Sequence, residues 1–70
     1  MKEYKVYRWR GFQRQFWNDF DTEREAIRYL RELYTIVSLD RDEDSKLITL
    51  ISKTGTQYTI EWNNKTYKSR

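Results

Sequence analysis

The strongest periodic signal in the chain is helical. Ala26, Ile27, Leu30, Leu33 and Tyr34, reaching toward Val37, recur at the i, i+3, i+4, i+7 spacing that lines one face of an α-helix. Arg24, Glu25, Arg28, Arg31 and Glu32 fall on the opposite side, with Tyr29 at the boundary. Thr22 followed by Glu25 forms a capping box, and Asp21, Glu23 and Glu25 suit the positive end of the helix dipole. No Gly or Pro marks the far end. The β-branched run Thr35, Ile36, Val37 predicts that strand takes over there.

The flanks alternate with a period of two. Residues 3–18 predict a hairpin in which Tyr4, Val6, Tyr7 and Trp9, then Phe12, Phe16 and Trp17, flank Gly11. Either turn centred on Gly11 gives the same facing parity. One face carries Lys5, Tyr7, Trp9, Phe12, Arg14 and Phe16; the other carries Tyr4, Val6, Arg8, Arg10, Gln13, Gln15 and Trp17. The first is the more apolar and is expected to face the core. The second is apolar at its open end and basic and amide-rich toward the turn.

After the helix the pattern predicts a meander: a strand over Ile36–Asp40, a turn over Arg41–Ser45, a strand over Leu47–Lys53, a Thr54-Gly55 turn, and a strand over Thr56–Trp62. A two-residue turn at Thr54-Gly55 pairs Lys53 with Thr56. It sets Leu47, Thr49 and Ile51 opposite Trp62, Ile60 and Tyr58 as a core face, leaving Ile48, Leu50, Gln57, Thr59 and Glu61 outside. Asn63-Asn64 suits a further turn, with Lys65–Tyr67 as a short edge strand or 65–70 as a frayed basic tail. The expected architecture is α+β in the order ββαβββ, one helix packed on an antiparallel sheet, with residues 1–70 forming a single small domain.

Composition sharpens this. Asp, Glu, Lys and Arg make up 36% of the 70 residues and the apolar set 37%, so the core is small. Twelve of those apolar residues are aromatic, each able to bury about 150–250 Å². With so little apolar material, Tyr7, Phe16, Tyr58 and Trp62 are expected in the core or a subunit interface. A homodimer completing a sheet face or edge stays open on the same grounds. The chain has no Cys and no His, which removes disulfides, thiolate nucleophiles, Cys-ligated zinc and the usual physiological general base. No nucleophile sits beside a base and no glycine-rich phosphate cradle is present, so no enzyme activity, small-molecule substrate or cofactor is expected.

Asp40-x-Asp42-x-Asp44 opens like a calcium loop. Ser45 stands where that loop needs Gly, and Ile51 where it needs a bidentate carboxylate, so no metal site is expected. The chain begins Met1-Lys2-Glu3 and lacks an apolar run long enough for a signal peptide or membrane span. Together with the missing Cys, this leads to the expectation of a cytoplasmic protein with no membrane partner, in which the Asn64-Lys65-Thr66 sequon goes unused.

Charge is segregated along the chain. Residues 1–20 hold five Lys/Arg and two Asp/Glu, residues 21–45 four and eight, and residues 46–70 five and one, for segment charges of +3, −4 and +4. If the hairpin and the C-terminal strands share a sheet, Lys2, Arg8, Arg10, Arg14, Lys65, Lys68 and Arg70 form a basic area opposite the acidic middle. Tyr4, Tyr7, Trp9 and Trp17 offer ring faces for stacking, and Gln13 and Gln15 can reach base edges.

The hairpin followed by Phe20-x-Thr22-x-x-Glu25-Ala26-x-x-Tyr29-Leu30 resembles the sheet-then-helix unit of AP2-type and integrase arm-type DNA-binding domains. The resemblance implies DNA reading by the sheet and points to Arg8, Arg10, Gln13 and Gln15. It covers less than half of the chain, which has one hairpin where those families have three strands and adds strands after the helix. The expected function is thus a nonenzymatic binding module touching nucleic acid through Arg8, Arg10, Gln13, Arg14, Gln15 and Trp17, with Lys65, Lys68 and Arg70 assisting. The alternative is a regulator or inhibitor that binds protein through an exposed sheet face or edge.

Overall fold

A computed structural model describes residues 3–62. The elements are β1 (Tyr4–Arg10), β2 (Gln13–Phe20), α1 (Glu23–Leu33), β3 (Ile36–Asp42), β4 (Leu47–Ser52) and β5 (Gln57–Glu61), the expected ββαβββ order. All pairings are antiparallel, and the five strands lie in the order β2-β1-β5-β4-β3. Helix α1 leaves the edge strand β2 and delivers the chain to the opposite edge, β3. The two following hairpin connections bring β5 back against β1, which closes the sheet around its middle.

The helix begins where the capping box placed it. Thr22 is extended, and its Oγ1 accepts the Glu25 N–H at 3.2 Å, satisfying one of the unpaired first-turn amides. The last turn closes with the Tyr34 N–H donating to the Leu30 carbonyl at 2.9 Å, and β3 starts two residues later. Ala26 and Leu30 are fully buried on the sheet, with Ile27, Tyr29 and Tyr34 packed around them. Leu33, expected in the apolar stripe, is 53% exposed because the helix ends on it.

Beneath the helix the register lines up Val6, Ile60 and Ile48 across the three central strands, all with no exposed surface. The next row runs Arg8, Tyr58, Leu50 and Leu39. Tyr4 stacks on Trp62 with centroids 6.0 Å apart, Phe20 meets Tyr29 at 5.0 Å, and Tyr34 stacks on Tyr58 at 4.7 Å. Aromatic rings thus seal the helix–sheet seam at both ends, a geometry that adds to their area burial.

Two expectations about faces are corrected. At the β4–β5 hairpin, the Ser52 N–H donates to the Thr56 carbonyl at 2.9 Å and Gly55 takes φ 92°, so Lys53, Thr54 and Gly55 form a three-residue loop. A loop one residue longer slips the register by one and turns one strand over. The inward residues of β4 are therefore Ile48, Leu50 and Ser52, while Leu47, Thr49 and Ile51 face outward, with Tyr58, Ile60 and Trp62 inward as expected.

The first hairpin has the expected parity but the opposite burial. Arg10 pairs with Gln13 around Gly11-Phe12, where Gly11 has φ 65° and Phe12 does not, the pattern of a type II′ turn. The helix covers the Tyr4 and Val6 face, leaving Tyr7, Trp9, Arg14 and Phe16 on the open side; Phe16 is 54% exposed. A bulge opposite Val6 and Tyr7 keeps Trp17 against the core and also swings Phe20 under the helix. That swing supplies the apolar residue the helix needs beside β1. Tyr7 and Phe16, expected in the core, instead meet edge-on at 5.9 Å on the uncovered face, whereas Tyr58 and Trp62 are buried.

Candidate functional site

The β1–β2 hairpin is the element that collects the basic and amide side chains. On the helix-side face, the register places Arg8 opposite Gln15 and Arg10 opposite Gln13. Successive residues on one face of a strand are about 6.8 Å apart and paired strands about 4.8 Å. The four side chains therefore form a compact cross-strand rectangle of two guanidinium and two amide groups. Arg10, Gln13, Arg14 and Gln15 line one surface pocket of about 530 Å³. Phe12 caps the tip of the hairpin with its side chain fully exposed.

Arg8 differs from the rest. Its guanidinium lies 5.5 Å from the centroid of the Trp17 ring, and its Nε is buried with no hydrogen-bond partner. Neighbouring Tyr58 is pushed up to about 12, first by burial and then by its bond to Tyr34, with Arg8 opposing the rise. Tyr58 is therefore a neutral donor at any physiological pH, and Arg8 is anchored at the border between core and surface.

Arg14 belongs to the open face. It bonds to Glu61 on β5 and lies 4.1 Å over the Tyr7 ring. The bond to Glu61 is the main reason its guanidinium is held above the ordinary arginine range. Trp9 is fixed beside it by donating its indole N–H to Thr59 Oγ1 at 2.9 Å. Trp17, expected to stack on a ligand, packs instead against the core and carries Arg8 on its ring. Lys65, Lys68 and Arg70 lie outside the described residues, as do Lys2 and the expected strand at Lys65–Tyr67.

The acidic loop after β3 has a structural use. Asp42 Oδ1 accepts the N–H groups of Asp44 at 3.0 Å and Ser45 at 3.4 Å, and Oδ2 accepts the Ser45 hydroxyl at 3.0 Å. The carboxylate thus closes the turn over Glu43–Lys46, with Lys46 in the left-handed region at φ 56°. Among the described residues no cluster of His, Cys, Asp or Glu could hold a metal ion. Nor is any helix there long and apolar enough to cross a membrane.

Sequence reasoning missed the surface on the opposite edge. Val37 is 63% and Leu39 39% exposed on β3, and Glu23, Arg24, Ile27, Arg28, Arg31 and Glu32 of α1 line an open surface groove. Both were hidden because the spacing that identifies an apolar stripe does not say how much of it the sheet covers. No family model, curated protein or solved structure matches the chain.

Proposed function

We propose that the protein is a nonenzymatic nucleic-acid-binding module, acting inside the cell, that grips its ligand with the turn half of the β1–β2 hairpin. The observation that carries this reading is the pairing of Arg8 with Gln15 and of Arg10 with Gln13 on one face, beyond the part that the helix packs on. Guanidinium groups neutralise phosphates and also bond in a forked way to guanine edges, and Gln amides can pair with adenine edges. The Arg10, Gln13, Arg14 and Gln15 pocket supplies donors of both kinds within one contact area. Past Arg8, where β5 stops pairing with β1, the hairpin is a two-stranded ribbon, and such a ribbon fits a groove about 12 Å wide.

Fluorescence anisotropy of labelled single- and double-stranded oligonucleotides, titrated from low to physiological salt, tests the proposal. The expected result is binding whose logarithm falls linearly with the logarithm of salt concentration. The Arg10→Ala variant should retain the fold and lose about one unit of that slope. An unchanged slope, or no binding at low salt, would overturn the reading. Arg8 is left in place because its partly buried anchor makes it a poor probe of surface contacts.

A further inference from the structure

The tip of the β1–β2 hairpin carries a side chain that neither the fold nor the Arg and Gln rectangle uses. Phe12 is 100% exposed, whereas Phe16, Leu33, Val37 and Leu39, the other large apolar residues on the described surface, each keep part of their area covered. Packing therefore does not explain it. Nor does the turn. Gly11 supplies the left-handed conformation at φ 65°, and the second turn position takes an ordinary backbone that a polar residue fills equally well. A bare phenyl ring on the surface lowers solubility without adding to the core.

The ring is also held away from the body of the domain. Pairing of β1 with β5 ends at Arg8, and β1 and β2 continue as a two-stranded ribbon to Arg10 and Gln13. At about 3.4 Å per residue, the turn stands about 10 Å past that last rung. A Cβ placed on Gly11 meets no atom within 4 Å, so the tip is clear of the rest of the described molecule.

The surroundings of the ring select its partner. From Tyr4 to Asn18 the hairpin holds Lys5, Arg8, Arg10 and Arg14 and no acidic residue. Arg10 and Gln13, which close the turn around Gly11-Phe12, belong to the pocket they line with Arg14 and Gln15. An apolar ring set among guanidinium and amide groups is the combination by which proteins wedge into a base step while holding the backbone beside it. A membrane is less well served, since one phenyl ring buries less than a myristoyl chain, which by itself attaches only marginally.

We propose that Phe12 is a wedge that stacks on a base left unstacked in a duplex, so that the preferred ligand is a double helix interrupted by a bulged base. This rests on the nucleic-acid reading of the hairpin and adds to it a contact that the Arg and Gln groups do not supply. Opening a step in fully paired DNA costs unstacking energy, whereas at a bulge the step is already disturbed. The ring then covers a base face, and the guanidinium and amide groups stay with the phosphates and base edges next to it.

The test is anisotropy titration of the full chain against a fully paired DNA duplex and the same duplex with one unpaired adenine at its centre, each over a range of salt. The bulged duplex should bind at least about tenfold more tightly, in keeping with what stacking on one aromatic ring contributes. Phe12→Ser, a residue suited to the turn, should remove that preference while keeping Tm and the log–log salt slope. Phe12→Trp should keep the preference. Salt-dependent binding with no preference for the bulge, or a preference that survives Phe12→Ser, would overturn the wedge and leave the phosphate-contacting hairpin standing. No salt-dependent binding to either duplex would overturn both. Binding to anionic lipid vesicles that is lost in Phe12→Ser, with no bulge preference, would give the ring to a membrane and so overturn the wedge as well.

Discussion

The two halves of the β1–β2 hairpin are built from the same pair of strands and put to opposite uses. At the open end Tyr4, Val6, Trp17 and Phe20 lie in or against the core, and their neighbours are Ile60, Trp62 and the first turns of the helix. At the turn end the same face carries Arg8, Arg10, Gln13 and Gln15. The cause is a mismatch of lengths. An eleven-residue helix is about 16 Å long, whereas strands of seven and eight residues run about 23–27 Å. A helix that starts beside Phe20 and crosses to β3 cannot cover the whole ribbon. One half thus packs the core and the other presents its charged and amide groups, with Arg8 on the Trp17 ring as the link between them.

Truncation in the packed half breaks the comparison most severely. Val6 is fully buried between the helix and Ile60. Removing its two methyl groups in Val6→Ala costs their transfer energy plus a cavity, about 2–3 kcal/mol, and should lower Tm by about 10 °C or more for a domain of this size. Thermal unfolding by circular dichroism measures the shift. Below the new Tm, oligonucleotide binding should be unchanged; loss of binding in a folded sample would show that the halves are coupled.

The joint between the two uses is Gly11. At φ 65° it begins the two-residue turn that sets Arg10 opposite Gln13, and a Cβ there meets no neighbouring atom. Gly11→Ala therefore pays only in backbone strain, about 1–2 kcal/mol, by favouring a different turn. Stability should fall modestly, while oligonucleotide affinity falls more than a surface alanine would cause, because the rectangle of Arg and Gln loses its register. Chemical denaturation and anisotropy on the same preparation separate the two effects.

Arg8 sits on the border, so substituting it sharpens where the border runs. Its buried Nε has no partner, and a buried donor left unpaired is a net cost. Arg8→Met keeps the long stem over Trp17 and removes that donor, so stability should rise by up to about 1 kcal/mol while binding weakens. A drop in stability would mean that the guanidinium supports the fold, through Trp17 or the Tyr58 hydroxyl.

How far the sequence foretold this arrangement follows from which features are local. The helix start was legible because the Thr22 and Glu25 capping box is complete within four residues, and the order of elements followed from the change of period at each end. The membership of each hairpin face was legible from Gly11. Which face would be covered was not, since that depends on β5 pairing with β1 and on the bulge that swings Phe20 inward, both nonlocal. At Gly55 a single glycine fits a two-residue or a three-residue loop equally well, and the one-residue difference decides whether Leu47 or Ile48 is core. In the candidate site, the clustering of Arg10, Gln13 and Gln15 came from parity alone, but the diversion of Arg14 to Glu61 and of Trp17 to the core required knowing which strands lie beside the hairpin.

The smallest expected effect on stability is also the most discriminating for function. Arg10 is exposed at the end of β1, opposite Gln13. Arg10→Ala should change unfolding free energy by less than about 0.5 kcal/mol, as surface substitutions away from caps and networks do. If its guanidinium contacts a phosphate, the same variant lowers the log–log salt slope by about one and weakens binding evenly across oligonucleotide sequences. If it contacts a base edge, the slope stays while the spread of affinities between sequences narrows, at about 1–3 kcal/mol for the preferred base. Gln13, its cross-strand partner, provides the internal control: Gln13→Ala cannot alter the charge count, so any change it brings in the ranking of sequences reports base contact at this end of the ribbon alone.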